Sequence, residues 1–201
     1  MNKRVYLIGI GKVGSSLAFE LKDIGLKIDF ISDRNSDLLS KISELIIPVS
    51  TSLKTEKNFI EGSDIIFIST QDTGIREVIN DITEFEIDLR GKIFFITSGA
   101  YSTDLFPADV FNKDSVLSMH PIQTFDKISF SNEHLLENIY FGIEGGEKAS
   151  AISKQIIEKL NSKFIEVPKD KKYLYHSACV ISSNFLITLL NVSSEVRGSM
   201  G

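Results

Sequence analysis

Two rhythms of apolar residues alternate along the chain. The runs "RVYLIGI" (4–10), "KIDFIS" (27–32), "SDIIFIST" (63–70) and "GKIFFITS" (91–98) are nearly continuous in Ile, Val and Phe, and their lengths are those of buried strands. Between them the apolar positions fall at helical spacing. "KVGSSLAFELKDIG" (12–25) sets Val13, Leu17, Leu21 and Ile24 on one face and ends at Gly25. "NSDLLSKISEL" (35–45) offers Asn35 or Ser36 as an N-cap ahead of Leu38, Leu39 and Ile42, and "TGIREVINDI" (73–82) reads as a further helix. "LIIPVS" (45–50) is expected to form a short third strand. "SVLSM" (115–119), "IYFGIEG" (139–145) and "KFIEVP" (163–168) continue the strand pattern around a helix over 147–162, and 169–196 reads as one long helix. This alternation predicts an α/β chain: a doubly wound, mostly parallel sheet covered on both faces. The sheet pattern stops at Pro168, which divides the chain into a domain over 1–168 and the start of a helical domain over 169–201.

Composition narrows the class. The chain has 201 residues, 42% hydrophobic and 24% charged, enough for one sizeable core. A formal net charge of -5 argues against a nucleic-acid partner. A single cysteine, Cys179, excludes an intramolecular disulfide and a cysteine-cluster metal site, so no metal is expected and a reducing cytoplasm is the expected location. The start mimics a secretory signal, but its apolar run "VYLIGI" falls short of the ~7–15 residues such a core needs. No uninterrupted apolar run reaches the ~18 residues of a membrane span, so no membrane partner is expected.

The first strand leads into a helix through Gly9, Gly11 and Gly14, the spacing G-x-G-x-x-G. Gly9 suits a tight turn, Gly11 lets a pyrophosphate approach the backbone, and Gly14 lets the helix pack on the strand. The helix start at Lys12 and Val13 then presents free amides and a partial positive charge to phosphate. At the end of the second strand, Asp33 could hold the ribose 2′-OH of NAD, and Arg34 could pair with the 2′-phosphate of NADP. NADP is the expected cofactor, with NAD open. The polar ends of the fourth and fifth strands, Ser69 and Thr70, then Thr97 and Ser98, should flank the nicotinamide and its ribose; Asp72 serves equally as a helix cap.

The chain has three histidines, and two fall where chemistry is expected. His120, in "SMHPIQTF", stands at a strand's carboxyl end. His176 lies on the last helix with Val180, Ser183 and Asn184 at i+4, i+7 and i+8. Read singly, each could be a structural or an exposed histidine; together they fit a pocket between sheet and helix.

The segments "GIGKVGSSLA", "ISDRN", "TSGAYS", "HPIQTF" and "YHSACVISSNFL" together resemble a Rossmann-like NADP-dependent oxidoreductase family with a C-terminal domain of unknown function. That family is grouped with pyrroline-5-carboxylate reductases and 6-phosphogluconate-dehydrogenase-like enzymes. A looser similarity is to prephenate dehydrogenases, where a serine after the fifth strand and an "HP" histidine sit at the nicotinamide; Ser98 and His120 match those places. The resemblance implies hydride transfer between NADP and a small polar substrate, a keto or hydroxy acid or a cyclic imine. His120 would be the general acid or base, Ser98 would orient it, and His176, Gln123 and Asn184 would meet substrate. It also implies a helical bundle that dimerises, of which "NFLITLLNV" (184–192) would be the beginning, and hence a homodimer and a chain that ends early in the bundle. Two other classes are open: a regulator that holds NADP without turnover, and a binder of another nucleotide ligand such as S-adenosylmethionine.

Overall fold

The computed structural model describes residues 3–198, with the side chains of 184–187 and 198 outside that description. Strands β1 (Arg4–Ile8), β2 (Lys27–Ser32), β3 (Ser50–Ser52), β4 (Ile65–Ile68), β5 (Ile93–Ile96), β6 (Val116–Pro121), β7 (Tyr140–Gly145) and β8 (Lys163–Glu166) form one sheet in the order β3-β2-β1-β4-β5-β6-β7-β8. The strands from β3 to β6 are parallel; β7 runs antiparallel to β6, and β8 runs parallel to β7. Helices α1 (Lys12–Asp23), α2 (Ser36–Ile46), α3 (Lys57–Glu61), α4 (Asp72–Glu84) and α5 (Glu147–Lys159) follow β1, β2, β3, β4 and β7. The chain is a Rossmann-type fold with its switch point between β1 and β4.

Strand alternation builds two cores. Val5, Leu7, Phe67, Phe95 and Leu117 pack under α1, α2 and α5, whereas Tyr6, Ile8, Ile66, Ile68, Phe94 and Ile96 pack under α3 and α4. The second face then changes character. On β6 it continues as Val116, Ser118 and His120, and opposite these on β7 stand Glu144 and Gly142. Helix α6 (Lys172–Val180) covers this polar end, and a π-helical turn (Ile181–Phe185) and α7 (Leu186–Gly198) continue the chain beyond it.

Two local expectations are corrected, and one short helix is added. The third strand is Ser50–Ser52, not "LIIPVS". Leu45 and Ile46 complete α2, because Ile46 extends the buried stripe of Leu38, Leu39 and Ile42, and Ile47 then ends the helix in the left-handed region at φ 60°. Helix α3 breaks a stretch that has no long helical pattern; Phe59 and Ile60 bury it. The last helix is not uniform: Ser182 and Ser183 both turn their hydroxyls back onto the Cys179 carbonyl at 3.0 and 2.8 Å, and the backbone widens there into the π turn.

The long connection after β6 is strapped to α1. Ser129 donates its amide to Ser15 Oγ at 2.9 Å, and its hydroxyl meets Ser16 Oγ at 3.0 Å. One turn further, both carboxylate oxygens of buried Glu20 accept the Leu136 amide at 2.9 and 3.0 Å. Burial pushes the Glu20 carboxyl up from 4.5 to about 7, outweighing the pull of the Leu136 amide. The folded chain therefore favours the protonated acid. Its stabilisation is complete below pH 4.5 and is lost as pH rises through about 7. Glu20→Gln keeps an acceptor for Leu136 and should flatten this slope, removing on the order of 2 kcal/mol of pH dependence. Urea midpoints at about pH 5 and about pH 8 for both proteins measure it.

Candidate active site

The glycine loop sits where β1, α1 and β4 meet. Gly9 has φ 88°, and a Cβ there would stand 2.8 Å from the backbone of Ser69 and Thr70. A Cβ on Gly14 would collide with the Gly9 carbonyl, so the helix can rest on the turn only with glycine at both places. Gly11 differs: a Cβ there meets nothing within 4 Å. Its outer face is open, and it is the N-cap of α1, with no side-chain cap and no acid in the first turn. The first amides of α1, including those of Lys12 and Val13, thus face an open, uncapped helix start, which suits a pyrophosphate.

The two candidate selectors of the adenosine ribose are placed differently. Asp33 is committed to the backbone: Oδ2 accepts the Ile10 amide at 2.8 Å and Oδ1 the Asn35 amide at 2.8 Å. It clasps the glycine loop to the end of β2. Arg34 is exposed and pairs with Glu77 of α4 at 2.5 Å.

Along the carboxyl edge, Ser69 accepts the Thr97 hydroxyl at 3.2 Å, linking β4 to β5. Ser98 Oγ accepts the amides of Ala100 and Tyr101 at 3.1 and 3.0 Å and so folds the loop after β5. The next residue, Gly99, leaves room for both histidines: a Cβ there would lie 2.6 Å from His176 Nδ1 and 2.8 Å from His120 Cε1. The two imidazole centroids are 6.2 Å apart. The expected role of Ser98 as the group that orients His120 falls to another side chain. His120 Nδ1 and the Tyr175 hydroxyl are 2.8 Å apart, and Ser98 serves the loop instead. Tyr175 reaches His120 across Gly142, where any Cβ would overlap the phenol oxygen.

Burial pushes His120 down from 6.5 to about 4, and Lys172 and His176 act in the same direction. His120 is therefore neutral at ordinary pH. Burial raises the Tyr175 phenol well above its usual range, so it stays protonated. Among the described residues, two buried side-chain atoms on this edge have no hydrogen-bond partner, Thr70 Oγ1 and His176 Nδ1. Buried polar groups are rarely left so.

One expected contact, that of Gln123, is not brought to the histidine pair. Gln123 is exposed, and its Oε1 accepts the amide of Thr124 at 2.9 Å within its own loop. Asn184 falls within the π turn, and its side chain lies outside the described residues. Tyr175, Lys172, Ser118 and Glu144 join this face unannounced. Lys172 and Tyr175 precede His176 by four and one positions, and only the glycine opposite Tyr175 reveals its target.

Among the described residues no group of His, Cys, Asp and Glu could hold a metal ion. Cavities of about 430 Å³ between α2 and β3 and about 270 Å³ between β8 and α6 are lined by neither the glycine loop nor His120.

Residues 4–95 match the family model described as NADP oxidoreductase, coenzyme F420-dependent, and residues 139–201 match a domain of unknown function, DUF2520. The second match begins ahead of β7, so the last two strands fall within it. Protein TM1727 from Thermotoga maritima is 25% identical, with a TM-score of 0.71 over 98% of this chain and 70% of that one. Prephenate dehydrogenase from Aquifex aeolicus is 16% identical, with a TM-score of 0.75 over 94% of this chain and 70% of that one. Pyrroline carboxylate reductase from Plasmodium falciparum, solved with NADP bound, is 13% identical, with a TM-score of 0.67 over 100% of this chain and 71% of that one. At their identities the two enzymes show a shared fold. No curated protein matches the sequence. Residues 4–95, which carry the glycine loop, are thus similar to the NADP oxidoreductase family model. Gly11→Val should fill the open face of the turn, leave the fold intact and abolish NADP binding; calorimetry with a thermal melt as control measures both.

Proposed function

We propose that this chain is an NADP-dependent oxidoreductase in which His120 moves a proton to or from a small polar substrate, a keto or hydroxy acid or a cyclic imine. The observation that carries the reading is the histidine pair at Gly99 on the same carboxyl edge of the sheet as an open, uncapped phosphate loop. Gly9, Gly11 and Gly14, with the amides of Lys12 and Val13, would hold the pyrophosphate. Ser69 and the unpartnered Thr70 hydroxyl would border the nicotinamide ribose. Arg34 would receive a 2′-phosphate after leaving Glu77. Asp33, already engaged by two amides, is less available for the 2′-OH of NAD, which favours NADP. NADP, when bound, supplies or accepts the hydride.

His120 is suited to take up a proton at Nε2 while Nδ1–H donates to the Tyr175 oxygen. A neutral imidazole is ready as a base, so oxidation of an alcohol or amine is the direction the resting site favours. Reduction needs His120 protonated, which a bound anion would promote. His176 would meet substrate through its unpartnered Nδ1. His120→Asn should cut turnover roughly 10²–10⁴-fold with NADP affinity unchanged. Reduced-nicotinamide absorbance with a panel of hydroxy acids, keto acids and cyclic imines tests this; turnover by none of them, or full turnover in the variant, would defeat it.

A second copy of the chain would cover the tail. Leu189, Leu190, Val192 and Val196 on α7 are 67, 59, 52 and 53% exposed, too much apolar surface for a solvated helix. By length and composition alone Lys169–Arg197 could also cross a membrane, but its first turns are tied to the sheet through Lys172 and Tyr175. A cytoplasmic homodimer accounts for the apolar face and for the single thiol. Light scattering over a wide concentration range should give twice the monomer mass, and Leu189→Glu with Val196→Glu should return the monomer.

A further inference from the structure

Lys172, the first residue of α6, is 2% exposed. An ammonium is seldom buried without a reason. Its Nζ donates to Ser118 Oγ at 2.5 Å, and Ser118 Oγ donates in turn to the Ser98 carbonyl at 2.8 Å. A buried chain of hydrogen bonds thus runs from the helical tail, through β6, to the loop after β5. The far end of that chain is the residue whose hydroxyl gathers the Ala100 and Tyr101 amides, immediately before Gly99.

The charges on this face are unevenly matched. From α6 come Lys172, Tyr175 and His176; from β6 comes His120; from β7 comes Glu144, paired across the strands with Ser118. Glu144 attracts Lys172, but its oxygens already accept the Thr103 amide at 2.9 Å and hydroxyl at 2.7 Å. Burial still takes Lys172 down to about 8. The groups that act on His120 by charge are Lys172 and His176, and both hold its protonation down. A negative group entering beside Gly99 would offset both.

We propose that Lys172 is a positioning residue of the His120 centre: through Ser118 it fixes the 98–101 loop beneath the histidine pair, and its charge reserves the pocket for a substrate that carries a carboxylate. The substrate half of this rests on the oxidoreductase reading. Such a substrate would bring its own charge to the step that protonates His120, and a neutral analogue of the same shape would not.

The imidazole signals of the three histidines, followed by NMR against pH, test this with sodium acetate and neutral acetamide as probes. Acetate should raise the His120 midpoint by about half a pH unit or more, and acetamide should leave it in place. Lys172→Met should raise the His120 midpoint by about one unit without acetate and remove the effect of acetate. His134, exposed and paired with Glu137, is the internal reference that stays fixed. Ser118→Ala keeps the ammonium and cuts the chain; it should speed amide exchange at Ala100 and Tyr101, and it carries the test if the Met variant does not fold. A His120 midpoint unmoved by Lys172→Met, an equal response to acetate and acetamide, or unchanged loop exchange in Ser118→Ala would overturn the proposal. Calorimetry with NADP on the wild-type protein keeps the two readings apart: absent NADP binding removes the oxidoreductase reading and leaves the Lys172 result standing.

Discussion

Tyr175 can touch His120 because residue 142 has no side chain. The sheet face under the tail would otherwise be sealed by a Cβ in the space the phenol oxygen occupies. That single gap sets the height at which α6 lies on β6 and β7. It thereby sets where Lys172 meets Ser118 and where His176 comes to rest beside Gly99. The rest of the fold supplies a rigid floor for this contact. Two apolar cores hold the sheet, and the second gives way to polar residues at the β6–β7 end, where the helix needs polar partners.

The two ends of the carboxyl edge are built on the same device at different scales. Gly9 and Gly14 bring backbone against backbone, so that α1 can start over an open turn. Gly99 and Gly142 bring side chains against backbone, so that three rings can share one pocket. Between them, Ser69, Thr97 and Ser98 use short hydroxyls to tie neighbouring strands and turns. A hydroxyl both donates and accepts within a small volume, which suits an edge that must stay ordered and still leave room for a ligand.

What the sequence discloses follows from the range of each interaction. Strands β1, β2, β4 and β5 and helix α1 are legible because their apolar periods repeat over several residues and their ends carry glycine or a cap. Helix α2 overran its reading since Leu45 and Ile46 satisfy a strand pattern and a helix stripe equally, and the Ile47 turn decides between them. The glycine loop and His120 were visible because their meaning is local: a spacing in one case, a strand end in the other. Tyr175 and Lys172 were not. Each is an ordinary helix residue until its partner is known, and those partners lie 55 and 54 positions away. The π turn was hidden for the same reason, since two serines bonding back to one carbonyl leave the apolar pattern of 184–192 unchanged.

The Arg34–Glu77 pair ties the end of β2 to α4 on either side of β1. It is exposed, so mobile ions weaken it readily. The same ions also weaken the pull of a guanidinium on a phosphate. Added salt therefore acts on cofactor capture in two opposed ways: it frees the arginine and it dulls the arginine's reach. For a nucleotide without the extra phosphate only the first term exists. The ratio of the two nucleotides' affinities, rather than either alone, is the quantity in which ionic strength leaves the signature of this one ion pair.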